Sequence, residues 1–225
     1  MPFRTPTTFL AASVWLVLSL TGTVSAQTDT PTDRPNIVFI LADDMGYGDP
    51  ASFNENSQIP TPNIDRLAEE GMRFTDAHSP GALCMPTRYG LMTGRNPIRV
   101  DWHEWDERAL IQPDRTTIAS LLQNGGYETA MIGKWHLGFD GGIEFDCSEP
   151  LRGGPVDHGF EYFFGMHASL DIPPYFYIRN DECVAAPTDR IGDNFSADEF
   201  WTDIQGAFWR AGKMAPGFNH DDVLP

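Results

Sequence analysis

Cys84, Arg88, Lys134 and His136 are the side chains whose types and spacing suit joint chemistry. In Cys84-Met85-Pro86-Thr87-Arg88, a proline at the third place suits the first turn of a helix and puts Cys84 at its N-terminus. Arg88, four residues on, then shares the face of Cys84. Unpaired backbone N–H groups at such a helix end favour an anion. A nucleophile or its precursor and a fixed cation would share one side. A free cysteine by itself is more often a small buried hydrophobe, so the pattern needs companions.

Gly133-Lys134-Trp135-His136-Leu137-Gly138 supplies them. Two places apart in an extended segment, Lys134 and His136 would point the same way. Lysine binds an anion and histidine handles a proton or holds an oxygen. The competing reading is an exposed loop around a core tryptophan. Asp43-Asp44 follows an apolar run, where ligands of open α/β sheets bind. Paired carboxylates suit a hard divalent cation, although an Asp pair taken alone more often caps a turn.

These residues need a scaffold, and the hydrophobic pattern indicates one. Asn36-Ile37-Val38-Phe39-Ile40-Leu41-Ala42 is a continuous run with the look of a strand buried on both faces. Thr61-Pro62 reads as an N-cap with proline at the first helical position, starting a helix that turns Ile64, Leu67 and Ala68 inward and stops at Gly71. Residues 72–78 and 127–133 read as strands. Residues 117–123 read as a helix with Ile118, Leu121 and Leu122 inward and Asn124-Gly125-Gly126 as its stop. Helices alternating with apolar strands predict an α/β fold with a mostly parallel sheet flanked by helices. From 139 to 177, Gly, Pro and aromatic residues predict long loops around a site, and residues 160–165 an apolar core patch.

Arg4, the apolar run 9–20 and Val24-Ser25-Ala26 read as a signal peptide over residues 1–26. The run is short for a membrane span of ~20 residues, so export without stable membrane insertion is expected, to a periplasmic or extracellular location. Residues 27–34 read as a linker and residues 35–225 as one domain. A net charge of −17 argues against nucleic acid, which needs a basic surface. A single anion can still bind a few clustered cations in a cleft.

Three segments together resemble the sulfatase family of the alkaline-phosphatase-like superfamily: Pro35-Asn36-Ile37-Val38 through Asp43-Asp44, Cys84 to Arg88 with Thr93-Gly94-Arg95, and the Gly133 to Gly138 motif. His158-Gly159-Phe160 and Tyr162-Phe163-Phe164-Gly165 look similar too. The resemblance implies that a formylglycine-generating enzyme oxidises Cys84 to formylglycine. The hydrated aldehyde would be the nucleophile towards a sulfate ester. Its second hydroxyl lets the enzyme release sulfate afterwards, which a serine could not do. It further implies that Asp43, Asp44 and modified Cys84 bind calcium. Arg88 would steady the hydrate, Lys134 and Ser169 would hold the sulfate, and His136 would contact the nucleophile. Thr87 stands where members often have serine and keeps the hydroxyl. With Cys84 consumed, Cys147 and Cys183 remain either as a disulfide or as two free thiols.

One departure stands out. The family takes a second metal-ligand pair, Asp followed by Asn or His, from a later strand, with a later histidine and lysine. Nothing after Ser169 matches them. Asp193-Asn194 lies in a polar loop, and Asp221-Asp222 suits a surface segment. The chain thus looks like the N-terminal part of a sulfatase, apparently truncated. Its expected activity is hydrolysis of an aryl or carbohydrate sulfate. The alternatives are a non-catalytic remnant, or a related phosphonate or phosphodiester hydrolase.

Overall fold

The structure, a computed structural model, describes residues 34–194 and 209–219. The signal peptide, most of the linker and Asp221-Asp222 lie outside the described residues. The chain divides into two units, Met1–Leu41 and Ala42–Pro225. In the first, residues 34–41 carry no strand pairing, and Val38 and Ile40 are 82% and 80% exposed. The predicted buried strand over 36–42 is therefore not formed. Its apolar run has the right composition, but a strand is defined by its partners, and none among the described residues pairs with it.

The second unit holds three α-helices and two small sheets among its described residues. Helix α1 is Pro62–Glu70, with proline in its first turn and Gly71 after it, as the sequence indicated. None of its residues is buried, and Ile64 and Leu67 lie exposed rather than inward. Residues 72–78 form no strand and are exposed throughout. Helix α2, Cys84–Thr93, buries Met85, Pro86, Tyr89 and Met92. It ends at Gly94, whose φ of 65° is left-handed and whose N–H donates to the Gly90 carbonyl at 2.8 Å, a favoured helix stop. Helix α3, Ile118–Asn124, starts from a capping box in which Thr117 and Ser120 each accept the other's backbone N–H. It buries Ala119, while Ile118 and Leu121 are exposed.

The larger sheet has the order β1-β2-β3-β4, with β1 Ala130–Lys134, β2 Tyr162–Met166, β3 Ile178–Arg179 and β4 Glu182–Cys183. β1 and β2 are parallel from Ala130↔Tyr162 to Lys134↔Met166, whereas β2-β3 and β3-β4 are antiparallel. The α/β class stands, with a mixed sheet in this part of the chain. Gly165 permits the close parallel pairing, because a Cβ there would lie 1.8 Å from the Gly133 carbonyl oxygen. A small second sheet pairs β5 Asp189–Ile191 with β6 Gly212–Met214. The core gathers α2, the segment after β1 and the sheet, with Trp135, Phe163, Phe176 and Ile178 at its centre. A Cys147–Cys183 disulfide ties β4 to the loop at 147, which decides between the two readings of those cysteines.

Candidate functional site

Cys84 is the first residue of α2, as the position of Pro86 required. No side chain caps this end, so its first N–H groups remain available to an anion. Cys84 is a free, half-buried thiol. Thr87 donates its hydroxyl to the Gly81 carbonyl at 2.8 Å, which pins the chain entering the helix. Gly90 lets α2 settle against Pro80, whose ring a Cβ would strike at 2.3 Å.

Arg88 leaves the same face one turn later and donates from Nη1 to the Lys134 carbonyl oxygen. That bond ties α2 to the end of β1. Burial lowers the pKa of Arg88, while Asp43 and Cys84 lie close enough to favour its charged form. Lys134 is the last residue of β1, and its side chain, 9% exposed, donates from the ammonium to Asp43 Oδ2 at 3.0 Å. Asp43 is 49% exposed, so this corner opens to solvent. Asp44 adopts φ 57°, a left-handed conformation uncommon outside glycine, Asn and Asp.

His136 is 2% exposed, and neither ring nitrogen has a hydrogen-bond partner. Burial pushes its pKa down to about 3, with further lowering by Lys134, His167 and Arg88, opposed by Asp43. The imidazole is neutral at ordinary pH and presents a lone pair. The expected strand alternation does not hold, because His136 has φ 56° and turns the chain out of β1. The backbone recovers by pairing with the next strand, where Trp135 N–H donates to Met166 and His136 N–H to His167, at 3.0 and 2.8 Å. Strain of this kind persists where the surroundings hold it, and it clusters at functional sites.

Asp43, Cys84, Arg88, Lys134 and His136 therefore form one cluster of mutual contacts and charge interactions. Two cations against one paired carboxylate leave it receptive to an anion. Ser169 sits in the turn after β2, donating its hydroxyl to Asp171, which pairs with Arg210 at 3.0 Å. Among the described residues, no contact joins Ser169 to the cluster. Among the described residues no three His, Cys, Asp or Glu side chains converge as a metal site. Asp43 and Asp44 have the right oxygen chemistry for calcium, but calcium takes six to eight oxygens and Asp43 is engaged by Lys134. Asp43, Asp44 and Cys84 do not by themselves fit the ion. A separate cleft of about 700 Å³, lined by Ser52, Asp65, Glu69 and Arg73 among others, shares no residue with the cluster.

Two neighbours escaped the sequence reading. His167 is 2% exposed and interacts with His136. Trp105 stands 4.6 Å from His136, ring centre to ring centre. Only the parallel register of the folded sheet reveals His167, since it sets residues just past Met166 beside those just past Lys134.

The sulfatase family model matches residues 35–207. Steryl-sulfatase of Homo sapiens is 42% identical over 143 residues, 59% of this chain and 24% of that protein. Arylsulfatase G of Rattus norvegicus is 41% identical over 172 residues, covering 73% and 30%. N-acetylgalactosamine-6-O-sulfatase of Bacteroides thetaiotaomicron is 35% identical over 170 residues, covering 73% and 33%. A solved structure concerned with glycosaminoglycan metabolism by Bacteroides thetaiotaomicron aligns with a TM-score of 0.61 at 35% identity, covering 68% of this chain and 32% of that one. The chain spans about a quarter to a third of the length of these relatives.

Proposed function

We propose that this chain, which belongs to the sulfatase family, carries the nucleophile and its cationic supports for hydrolysis of a sulfate ester. The observation that carries the reading is that Arg88, one turn after Cys84 in α2 and interacting with it, is bonded to the Lys134 carbonyl and stands close enough to His136 to lower its pKa. Conversion of Cys84 to formylglycine by a formylglycine-generating enzyme would supply a hydroxyl nucleophile that can also expel the sulfate it accepts. Arg88 and Lys134 would then hold the anionic oxygens, aided by the first N–H groups of α2. Such donors act on charge that develops in the transition state. Neutral His136 would contact the nucleophile, accepting a hydrogen bond from its hydroxyl at the ring lone pair. Ser169 is proposed as a sulfate contact on family likeness.

Calcium is proposed as the ion of Asp43 and Asp44 on family grounds, with the remaining oxygen donors to come from elsewhere. The relatives act, by their names, on steryl, aryl and amino-sugar sulfates, and an aryl or carbohydrate sulfate is the proposed substrate class. Export is proposed from the sequence of residues 1–26, and the Cys147–Cys183 disulfide supports an oxidising compartment. No helix of the described residues is long and apolar enough to cross a membrane.

Parallel assays on 4-nitrophenyl sulfate and 4-nitrophenyl phosphonate test the reaction class, using protein from an exporting host that converts other sulfatases. Sulfate turnover abolished by Cys84→Ala is the expected result. Turnover of the phosphonate alone would move the reading to a related hydrolase. A second reading, a non-catalytic remnant, is favoured by the absence of a metal-holding cluster among the described residues. Inertness of the converted protein toward both compounds would establish it.

A further inference from the structure

We infer that Trp105 is a positioning residue for His136, and that His167 anchors it. The need for such a residue follows from His136 itself. Its ring is buried, makes no hydrogen bond, and sits on a left-handed backbone. Nothing polar within the described residues fixes its plane or its tautomer, so packing must do so. Trp105 meets it edge to face at 4.6 Å and 81°, the arrangement that aromatic quadrupoles favour.

Trp105 is itself held. It belongs to the 3₁₀ turn Trp102–Asp106, whose His103 N–H donates to the Asp101 carboxylate at 3.2 Å and whose Glu104 pairs with Arg108 at 2.6 Å. The turn docks by its backbone on the segment that carries His136. Ile143 N–H donates to the Asp106 carbonyl at 3.0 Å, and Leu110 N–H to the Leu137 carbonyl at 2.9 Å. Gly138 permits the approach, with φ 76° and a would-be Cβ 2.6 Å from the Trp105 carbonyl oxygen. The indole also stacks with His167 at 6.2 Å and 17°, and His167 stacks in turn on Phe176 at 5.9 Å and 16°. The His167 carbonyl accepts the His136 N–H. Ring and backbone of His136 are thus held by two residues that stack on each other, and a small rotation of the ring would misalign its lone pair with the nucleophile. The inference rests on the reading of His136 as a contact of that nucleophile.

The test compares Trp105→Leu, which keeps apolar volume without a ring, with Trp105→Phe, which keeps a ring. On 4-nitrophenyl sulfate, Trp105→Leu should lower kcat roughly ten- to hundredfold with little change in KM, the size expected of misplacement, and Trp105→Phe should restore most of it. In parallel, brief diethyl pyrocarbonate labelling is read on tryptic peptides. His136 is the sole histidine between Lys134 and Arg152, while His158 and His167 lie together between Arg152 and Arg179. Trp105→Leu should raise labelling of His136 and leave His158 protected, and Trp105→Phe should protect both. Equal kcat and equal His136 labelling in Trp105→Leu and the unsubstituted protein would overturn the inference. Should Trp105→Leu expose His158 as well, and so have unfolded, Trp105→Phe decides: loss of both activity and His136 protection overturns it. His136→Ala separates the two claims. If that variant keeps full turnover, the role of His136 fails, while the labelling still decides whether Trp105 holds its ring.

Discussion

Arg88 is the residue on which the anion-binding claim can be tested most sharply, because it joins α2 to β1 through the Lys134 carbonyl while its charge faces Asp43 and Cys84. Removing one donor that stabilises developing charge typically costs ~3–4 kcal/mol, or roughly a hundred- to thousandfold in rate. Arg88→Ala should lose that much kcat toward an aryl sulfate while the disulfide and a cooperative unfolding transition persist; near-normal turnover would remove Arg88 from the centre. At this scale the sequence was informative. Cysteine at a helix start, arginine one turn on, and a Lys-x-His after a strand are local patterns, and the fold brought them together. The left-handed turn at His136 was not legible, because φ there follows from pairing with residues past β2. His167 was missed for the same reason, being a neighbour only through register.

The elements that carry the site owe their spacing to glycine as much as to apolar side chains. Gly165 lies in register with Gly133, and a Cβ added there would meet the Gly133 carbonyl oxygen at 1.8 Å. Gly165→Ala should therefore force β1 and β2 apart, at a cost of about 3 kcal/mol by analogy with overpacked cores. Gly192→Ala meets nothing within 4 Å and should be near neutral. Equal urea midpoints for the two variants would contradict this picture of the sheet. Thr117→Ala should cost about 1–2 kcal/mol, because its hydroxyl both caps α3 and donates to the His158 carbonyl at 2.6 Å. The helices were legible from their caps: Thr61-Pro62 and Gly71 bound α1, and Thr117 starts α3. Which faces they bury was not. Ile64, Leu67, Ile118 and Leu121 have the periodicity of inward residues and are exposed, since periodicity marks an apolar face and leaves open what covers it. The run 36–42 and residues 72–78 fail as strands on the same ground.

For the molecule as a whole, buried imidazoles set the acid limit. His136 and His167 are pushed down by burial, from 6.5 to about 3 and about 4, and His158 is lowered as well. Below pH 6.5 the unfolded chain binds protons that the native one refuses, so stability rises with pH across this window. It should be fully present above pH 6.5 and fall as pH drops toward 4. A urea midpoint that is flat or increases from pH 7 to pH 5 would contradict the burial of these rings. Exposed apolar surface is the second global property. Val38, Ile40, Met72 and Ile132 are each at least 69% exposed, and among the described residues β1 pairs with β2 alone. Such surface favours association, and residues 27–225 made alone should bind 8-anilinonaphthalene-1-sulfonate strongly and self-associate in sedimentation. A monomer that does not bind the dye would show that this surface is covered.

The central claim, that Cys84 is the precursor of the nucleophile, is tested most directly by peptide mass spectrometry on protein made in an exporting host. Cleavage after Arg73 and Arg88 releases the peptide from Phe74 to Arg88, which contains Cys84 and no other cysteine. The expected result is the mass loss of thiol-to-aldehyde conversion, located at Cys84 by fragmentation. An unmodified thiol, in a host shown to convert other sulfatases, would contradict the claim and leave the chain with the family's fold and without its nucleophile.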